Sequence, residues 1–303
     1  MPGAGPLSRG DFRKLYADRL AYIDSMIGPD EWPEDDPAMW EQFYNIKTSN
    51  KMREEVLYWG GFGRFIQMGE NDAVTYDQIV QGPSKSITHT LWGLGFQIGY
   101  LTQKHDLDGI VAKNAPALGL SMRQSIQAFA MELYNNLGTE TTADGVAVVA
   151  TTHTFVRGSG TFSNRTTSNI GQAALEAGLV AFRRQKDLMG NPQPLPAESL
   201  LIPPDLEPIS HELLQSRMRS DTTTHAESFV YNKVTPKASP WIDSTTQWLI
   251  MGPRKQLKIV FYWNIRPETS HGYDFDREAV KTKALWAGSR TAIDPRGIYG
   301  FIG

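Results

Sequence analysis

The chain has no cysteine. That excludes a disulfide framework and any thiolate-held metal, and it fits a reducing compartment. No apolar run approaches the roughly 20 residues needed to cross a bilayer. Met1 to Gly10 is rich in Pro and Gly and has no apolar core of a signal peptide. Charge of either sign is not in excess. Lys and Arg number 30 against 33 Asp and Glu, a formal net charge of −3, so nothing in the total demands nucleic acid as a tight partner. Internal repeats and low-complexity stretches are absent. So are GxxxxGK[ST], GxSxG and HExxH, the patterns that mark nucleotide, nucleophile and zinc chemistry.

What remains is shape. A chain of 303 residues, 40% hydrophobic and 21% charged, has enough apolar material for one large or two moderate domains. Leu7 to Met26 reads as a helix, with Leu7, Leu15, Leu20, Ile23 and Ile27 near helical spacing and Ser8 as its cap. Gly28 to Pro37 is an acidic linker broken by three prolines. Trp40 to Arg64 has no clean period. Its aromatics (Trp40, Phe43, Tyr44, Tyr58, Trp59 and Phe62) are too many for a free tail, and an extended arm lying on another surface explains them.

Phe65 to Gln103 reads as two strands around a turn at Gln81-Gly82-Pro83-Ser84. Such a ribbon is marginal alone in water and needs a surface to lie on. Ile110 to Leu137 predicts a helix roughly 42 Å long. Met122, Ile126, Phe129, Ala130, Leu133 and Leu137 form its apolar stripe, and Gly138 is a natural stop. Pro116 and Gly119 predict a bend in its first half, or a start near Asn114. Asp144-Gly145 turns the chain into a strand, Val146 to Thr152. Ser168 to Lys186 predicts a second helix with Ile170, Ala173, Ala174, Ala177, Val180 and Ala181 facing inward. Leu200 to Ile202 is a short strand, and Pro204 opens a third helix through Ser216. Strands follow at Trp248 to Met251, Leu257 to Ile265 and Tyr273 to Leu285. Asp294-Pro295-Arg296-Gly297 matches a type I turn.

Candidate chemistry is thin. Gly158-Ser159-Gly160, with Arg157 and Arg165, has the makings of an anion nest, but a flexible loop explains it as well. His105 with Asp106 and Asp108 is the nearest thing to a metal cluster, yet reads more simply as a cap and a solvated turn. The six histidines are scattered singly. Phe261-Tyr262-Trp263 has the aromatics to stack bases, but three in a row on a strand alternate faces and pack two layers. No catalytic, cofactor-binding or metal-binding residue is assigned.

The order of these elements resembles the major capsid proteins of tailed bacteriophages with the Hong Kong 97-type fold, closest in flavour to the Mu-like major head subunits. Met68-Gly69-Glu70 through Lys85-Ser86-Ile87-Thr88-His89 resembles that family's E-loop and return strand. Ile110 to Leu137 resembles the spine helix, and Asp144-Gly145 with His153 the segment after it. Asn191-Pro192 through Leu206-Glu207 resembles the lead into the A-domain, and Trp248-Leu249-Ile250 the return to the P-domain. The resemblance covers roughly residues 40 to 290.

It implies an α+β chain with an N-terminal helix and arm at 1–64 and an E-loop and return strand at 65–103. A P-domain follows at 104–189 with its spine helix at 110–137. An A-domain at 190–251 and closing P-domain strands at 252–303 complete it. It implies a major head protein that assembles into an icosahedral shell in the host cytoplasm and is not an enzyme. The partners it implies are other copies in pentamers and hexamers, a separate scaffolding protein, a portal, decoration proteins and non-specifically held double-stranded DNA, with no membrane. No long charged helical segment precedes the arm, which implies a separate scaffolding protein or a chain seen after cleavage. Some relatives cross-link a loop lysine to an asparagine. Lys85 is the only lysine between Arg64 and Lys104, and no cross-link is expected here. An encapsulin-like compartment shell is the alternative of the same fold, and a soluble enzyme the alternative of another class.

Overall fold

The computed structural model describes residues 39–105, 110–156, 160–219, 227–274 and 276–302. The helix expected at Leu7 to Met26 and the acidic linker after it lie outside the described residues.

A 3-10 turn, Met39–Phe43, leads into strands β1 (Asn45–Thr48) and β2 (Arg53–Trp59). Strands β3 (Gln81–Thr88) and β4 (Thr90–Gly99) and helices α1 (Tyr100–Lys104) and α2 (Ile110–Asn135) follow. Next come β5 (His153–Thr154), β6 (Thr161–Phe162), α3 (Gln172–Arg183) and β7 (Ser199–Ile202). A 3-10 turn at Pro204–Leu206 then opens α4 (Glu207–Gln215). The chain ends in β8 (Thr235–Ala238), β9 (Trp248–Met251), β10 (Ile259–Asp274), β11 (Ala279–Ala292) and β12 (Ile298–Phe301). One four-stranded sheet has the order β1-β10-β11-β4, and another β12-β9-β7-β8. The described residues fall into two compact units, one of 89–128 with 263–289, the other of 39–88, 129–262 and 290–302.

In the first unit, β11 pairs antiparallel with β4 in an unbroken register from Ala279↔Gly99 to Gly288↔Thr90. Trp286 stacks on its cross-strand partner Trp92 at 5.7 Å and meets Trp263 edge-on at 6.0 Å. Such cross-strand aromatic pairs pin register.

The second unit has two apolar clusters of note. One is aromatic: Phe261 takes Trp40 at 4.5 Å, Tyr44 at 5.9 Å and Phe129 at 6.1 Å. Tyr44 donates to the Ala130 carbonyl at 2.6 Å, and Tyr134 to the Phe43 carbonyl at 2.9 Å. Burial pushes both hydroxyl pKa values well above the ordinary tyrosine range. Trp40, Phe43 and Tyr44 are therefore core residues of their own chain. The arm expected to lie on another surface is, over these residues, packed inward. The other cluster sets Leu175, Leu179 and Phe182 of α3 and Leu213 and Leu214 of α4 against Leu200, Ile202, Trp248 and Ile250 of the sheet.

Helix α2 forms where expected and runs through Pro116. Ala, Leu, Met and Gln dominate its length, and the six stripe residues are buried or half-buried. Helix α3 is turned partway from the expectation, since Ile170 and Ala174 of the expected face do pack against the core. Leu175, Leu179 and Phe182 are inside, whereas Ala173, Ala177 and Val180 are exposed. Both stripes have helical spacing, and the larger side chains bury more apolar area. Gly178 is on the inner face because a Cβ there would stand 2.9 Å from Ile250 Cδ1 and 3.3 Å from Tyr299.

Val146 to Thr152 is not a strand. Its backbone donors go to the Glu140 carbonyl from Val148, the Leu137 carbonyl from Val149 and Asn164 Oδ1 from Ala150. Gln81 to Ser84 is not the ribbon's turn: these residues open β3 and pair with Trp59 and Leu57. Pro83 sits at a register shift between those two partners, where a residue without an N–H costs no ladder bond. The last of the expected strands is also displaced, β11 beginning at Ala279 rather than Tyr273.

Candidate assembly surfaces

The ribbon β2–β3 is the feature that reaches out, and its root is fixed in three ways. Ile87 packs with Val260, Tyr262 and Ile293, and Val56 lies against the same cluster. The Tyr58 hydroxyl donates to Asp294 Oδ2 at 2.6 Å. Lys85 Nζ donates to the Thr141 carbonyl and stands 3.5 Å from that of Ala292. Burial pulls the Lys85 ammonium pKa down, opposed by the charge of Glu140. Burial, reinforced by the Asp294 charge, pushes the Tyr58 hydroxyl pKa up.

Behind this root lies a buried polar centre. Arg296 Nη1 meets Asp294 Oδ1 at 2.8 Å, and the same oxygen accepts the Arg296 amide at 3.1 Å. Arg296 Nε donates to the Lys186 carbonyl. Its guanidinium also covers the Phe162 ring at 4.8 Å, and His153 stacks on that ring at 5.1 Å. His153 Nδ1 meets Asp144 Oδ2 at 2.8 Å. Burial disfavours the Asp144 carboxylate, but hydrogen bonds from His153, Thr142 and the Val146 amide outweigh it and hold the pKa below the usual range. Asp144, Tyr58, Asp294 and Arg296 border a cavity of about 280 Å³. The centre ties the ribbon root, the 141–156 segment and the last turn together. Both carboxylates are engaged in that bracing. Among the described residues, no group of three His, Asp or Glu converges to hold a metal.

Beyond Trp59 the chain leaves this support. Residues 60–80 carry no regular element, and the loop reverses at Gly69 to Asp72, where Asp72 accepts the Gly69 amide at 2.6 Å and Asn71 takes a positive φ of 70°. Phe65 is 107% and Tyr76 91% exposed, and Phe62, Ile66, Val74 and Ile79 are exposed with them. Apolar groups left in water in such number mark a contact surface. Strand β4 also exposes apolar side chains, Leu91 at 63% on one face and Leu94 at 58% on the other. On the outer face of α3, Ala173, Ala177 and Val180 border an open groove with Phe162 and Phe229.

Of the weighed chemical candidates, His105 is exposed, while Asp106 and Asp108 lie outside the described residues, as do Arg157, Gly158 and Ser159. Phe261, Tyr262 and Trp263 are all buried, as two-layer packing requires. The network of Tyr58, Asp144, His153, Asp294 and Arg296 was not foreseen as a unit. Its local signals were the turn residues around Asp144 and Asp294, but no spacing links them to Tyr58, 236 positions from Asp294.

Among the solved structures similar to this chain are bacteriophage capsids. The capsid of the cyanophage P-SCSP1u matches with a TM-score of 0.57 at 9% identity, covering 86% of each chain. The capsid of bacteriophage JBD30 decorated with minor capsid protein trimers matches at 0.58 and 11% identity, over 74% of this chain and 98% of that one. The mature capsid of bacteriophage PhiM1 matches at 0.57 and 10% identity, over 89% and 87%. No curated protein matches the chain. The fold is the α+β capsid fold expected from the sequence. The pattern of the phage capsid protein family matches residues 84–300, and the chain belongs to that family. It is a shell-forming major capsid protein of the virion. That membership favours a phage shell over an encapsulin-like compartment or a soluble enzyme.

Proposed function

We propose that this capsid protein builds its shell through four sets of contacts, and that its work is assembly rather than turnover. The ribbon β2–β3 with its loop is the E-loop, laid over a neighbouring subunit. The observation that carries this is the exposed apolar run from Phe62 to Ile79 on a ribbon whose root is braced. The N-terminal arm, which on this reading ends before β2 instead of at the expected residue 64, ties further subunits, although Trp40, Phe43 and Tyr44 serve its own core. The P-domain is formed by 104–189 and 252–303, and 190–251 is the A-domain, meeting its symmetry mates at the centres of pentamers and hexamers. Individual contacts are weak, and the closed shell is stable because many act together. A separate scaffolding protein, a portal and decoration proteins complete the particle during assembly in the host cytoplasm. Double-stranded DNA inside is held without sequence preference, in keeping with a formal net charge of −3.

The test is to replace residues 64–77 by a short glycine linker, keeping the Gly60–Val80 backbone pair. The expected result is a folded subunit that does not close shells. Particles of wild-type form from that variant would overturn the E-loop assignment.

A further inference from the structure

Strand β4 is the end strand of its sheet, paired on one side with β11. Among the described residues its other edge has no strand partner. Edge strands are normally blunted by charge, proline, a bulge or shortness, because a bare edge templates pairing with another chain. Thr90–Gly99 uses none of these devices. Its sequence, TLWGLGFQIG, is ten residues with no charge and no proline, in unbroken register with β11. Of its glycines, Gly95 serves the β11 side, where a Cβ would stand 2.6 Å from the Thr282 carbonyl oxygen, while a Cβ at Gly99 would meet nothing described within 4 Å. An edge of about 33 Å in this state is an acceptor for an added strand.

The same chain holds a segment with the complementary defect. Ala73-Val74-Thr75-Tyr76-Asp77-Gln78-Ile79-Val80 has the β-branched and aromatic content of a strand. Yet it forms none among the described residues, and only Val80, whose carbonyl accepts the Gly60 amide at 2.9 Å, touches the ribbon's ladder. Val74 and Tyr76 point apolar surface into water. Charge agrees with the pairing. Residues 64–79 carry Arg64 against Glu70, Asp72 and Asp77, 1 − 3 = −2. Beside β4, β11 exposes Lys281 and Lys283, which stand opposite Gln97 and Gly95. Lys281 is already shared with Asp274, so Lys283 carries more of that attraction.

We propose that residues 73–80 of a second copy add as a strand to the open edge of β4. The inference rests on the reading that the ribbon loop reaches a neighbour, and it names the surface that receives it. Main-chain hydrogen bonds supply the register; Val74 and Tyr76, two apart and so on one face of the added strand, meet the β4 face that carries Leu94, and Thr75 and Asp77 fall on the face of Leu91 and Lys283.

Because the chain has no cysteine, engineered thiols are the only ones present. Full-length chains carrying Val74→Cys or Tyr76→Cys are co-assembled with chains carrying Leu91→Cys or Leu94→Cys, oxidised, and run without reductant. In parallel, hydrogen exchange follows the amides of Thr90–Gly99 in wild-type subunits and shells. The expected result is a disulfide-linked dimer from at least one mixed pair, in shells only. Exchange at alternate β4 amides should slow by about 100-fold or more on assembly. Shells that form with no mixed dimer and with β4 amides unchanged would overturn this inference and leave the E-loop reading standing. Slowed β4 amides without any mixed dimer would mean that another segment covers the edge, which also overturns it. Failure of wild-type chains to form shells would overturn both.

Discussion

Truncating Trp40 to alanine tests whether the start of the arm belongs to its own subunit. The indole is 1% exposed, 4.5 Å from the Phe261 ring and 5.9 Å from Tyr44. Removing a buried aromatic of this size costs about 3–5 kcal/mol, through lost burial and the cavity left behind. About 1 kcal/mol of that is the lost ring pairing with Phe261. Against a native stability of about 5–15 kcal/mol this is a large fraction. With a urea slope of about 3 kcal/mol/M, the unfolding midpoint should fall by about 1 M or more. The assay is urea unfolding of unassembled subunits followed by far-UV circular dichroism. Tyr76→Ala is the contrast, since that side chain is 91% exposed on the loop. It should change subunit stability by no more than about 0.5 kcal/mol, while lowering the yield of shells. If Trp40→Ala unfolds at the wild-type midpoint, the reasoning fails and Trp40 acts on another subunit.

Tyr58→Phe removes the donor to Asp294 Oδ2 and should destabilise the subunit by about 1–3 kcal/mol, read from the same unfolding curves. In the wild-type protein the Tyr58 phenol should ionise only above the ordinary tyrosine range, which ultraviolet titration against Tyr58→Phe will check. Asp144 has a folded pKa below its unfolded value, so its contribution is present above about pH 4. That contribution is lost as pH falls through the lower, folded pKa. Asp144→Asn should therefore be less stable than wild type at neutral pH, with the gap closing in acid; a gap independent of pH would contradict the ionic role. Gly178→Val should cost about 1–3 kcal/mol by overpacking against Ile250 and Tyr299, seen as a lower thermal midpoint.

The helix α2 was legible because its stripe repeats at helical spacing over several turns with few competing signals. Strands β7 and β9 were legible as short apolar runs between turn residues. The direction of α3 was not, because alanines and leucines at the same period offer two faces and only the facing sheet decides between them. The ribbon's turn was misplaced because Gln81-Gly82-Pro83-Ser84 has stronger turn chemistry than Gly69-Glu70-Asn71-Asp72. A register shift at Tyr58 absorbed the proline into β3 instead. The aromatics of the arm carry no mark that distinguishes a neighbour's surface from their own core. The apolar loop was visible as composition, but its exposure became known only once its own chain was seen to leave it uncovered. The brace of Tyr58, Asp294 and Arg296 depends on a contact across most of the chain, and no local pattern encodes it.

The central claim is that this chain closes shells with copies of itself. Electron microscopy of the purified protein, with light scattering alongside and with scaffolding protein added and withheld, tests it most directly. Uniform closed shells are the predicted result. A monodisperse monomer or dimer under every one of these conditions would contradict the account.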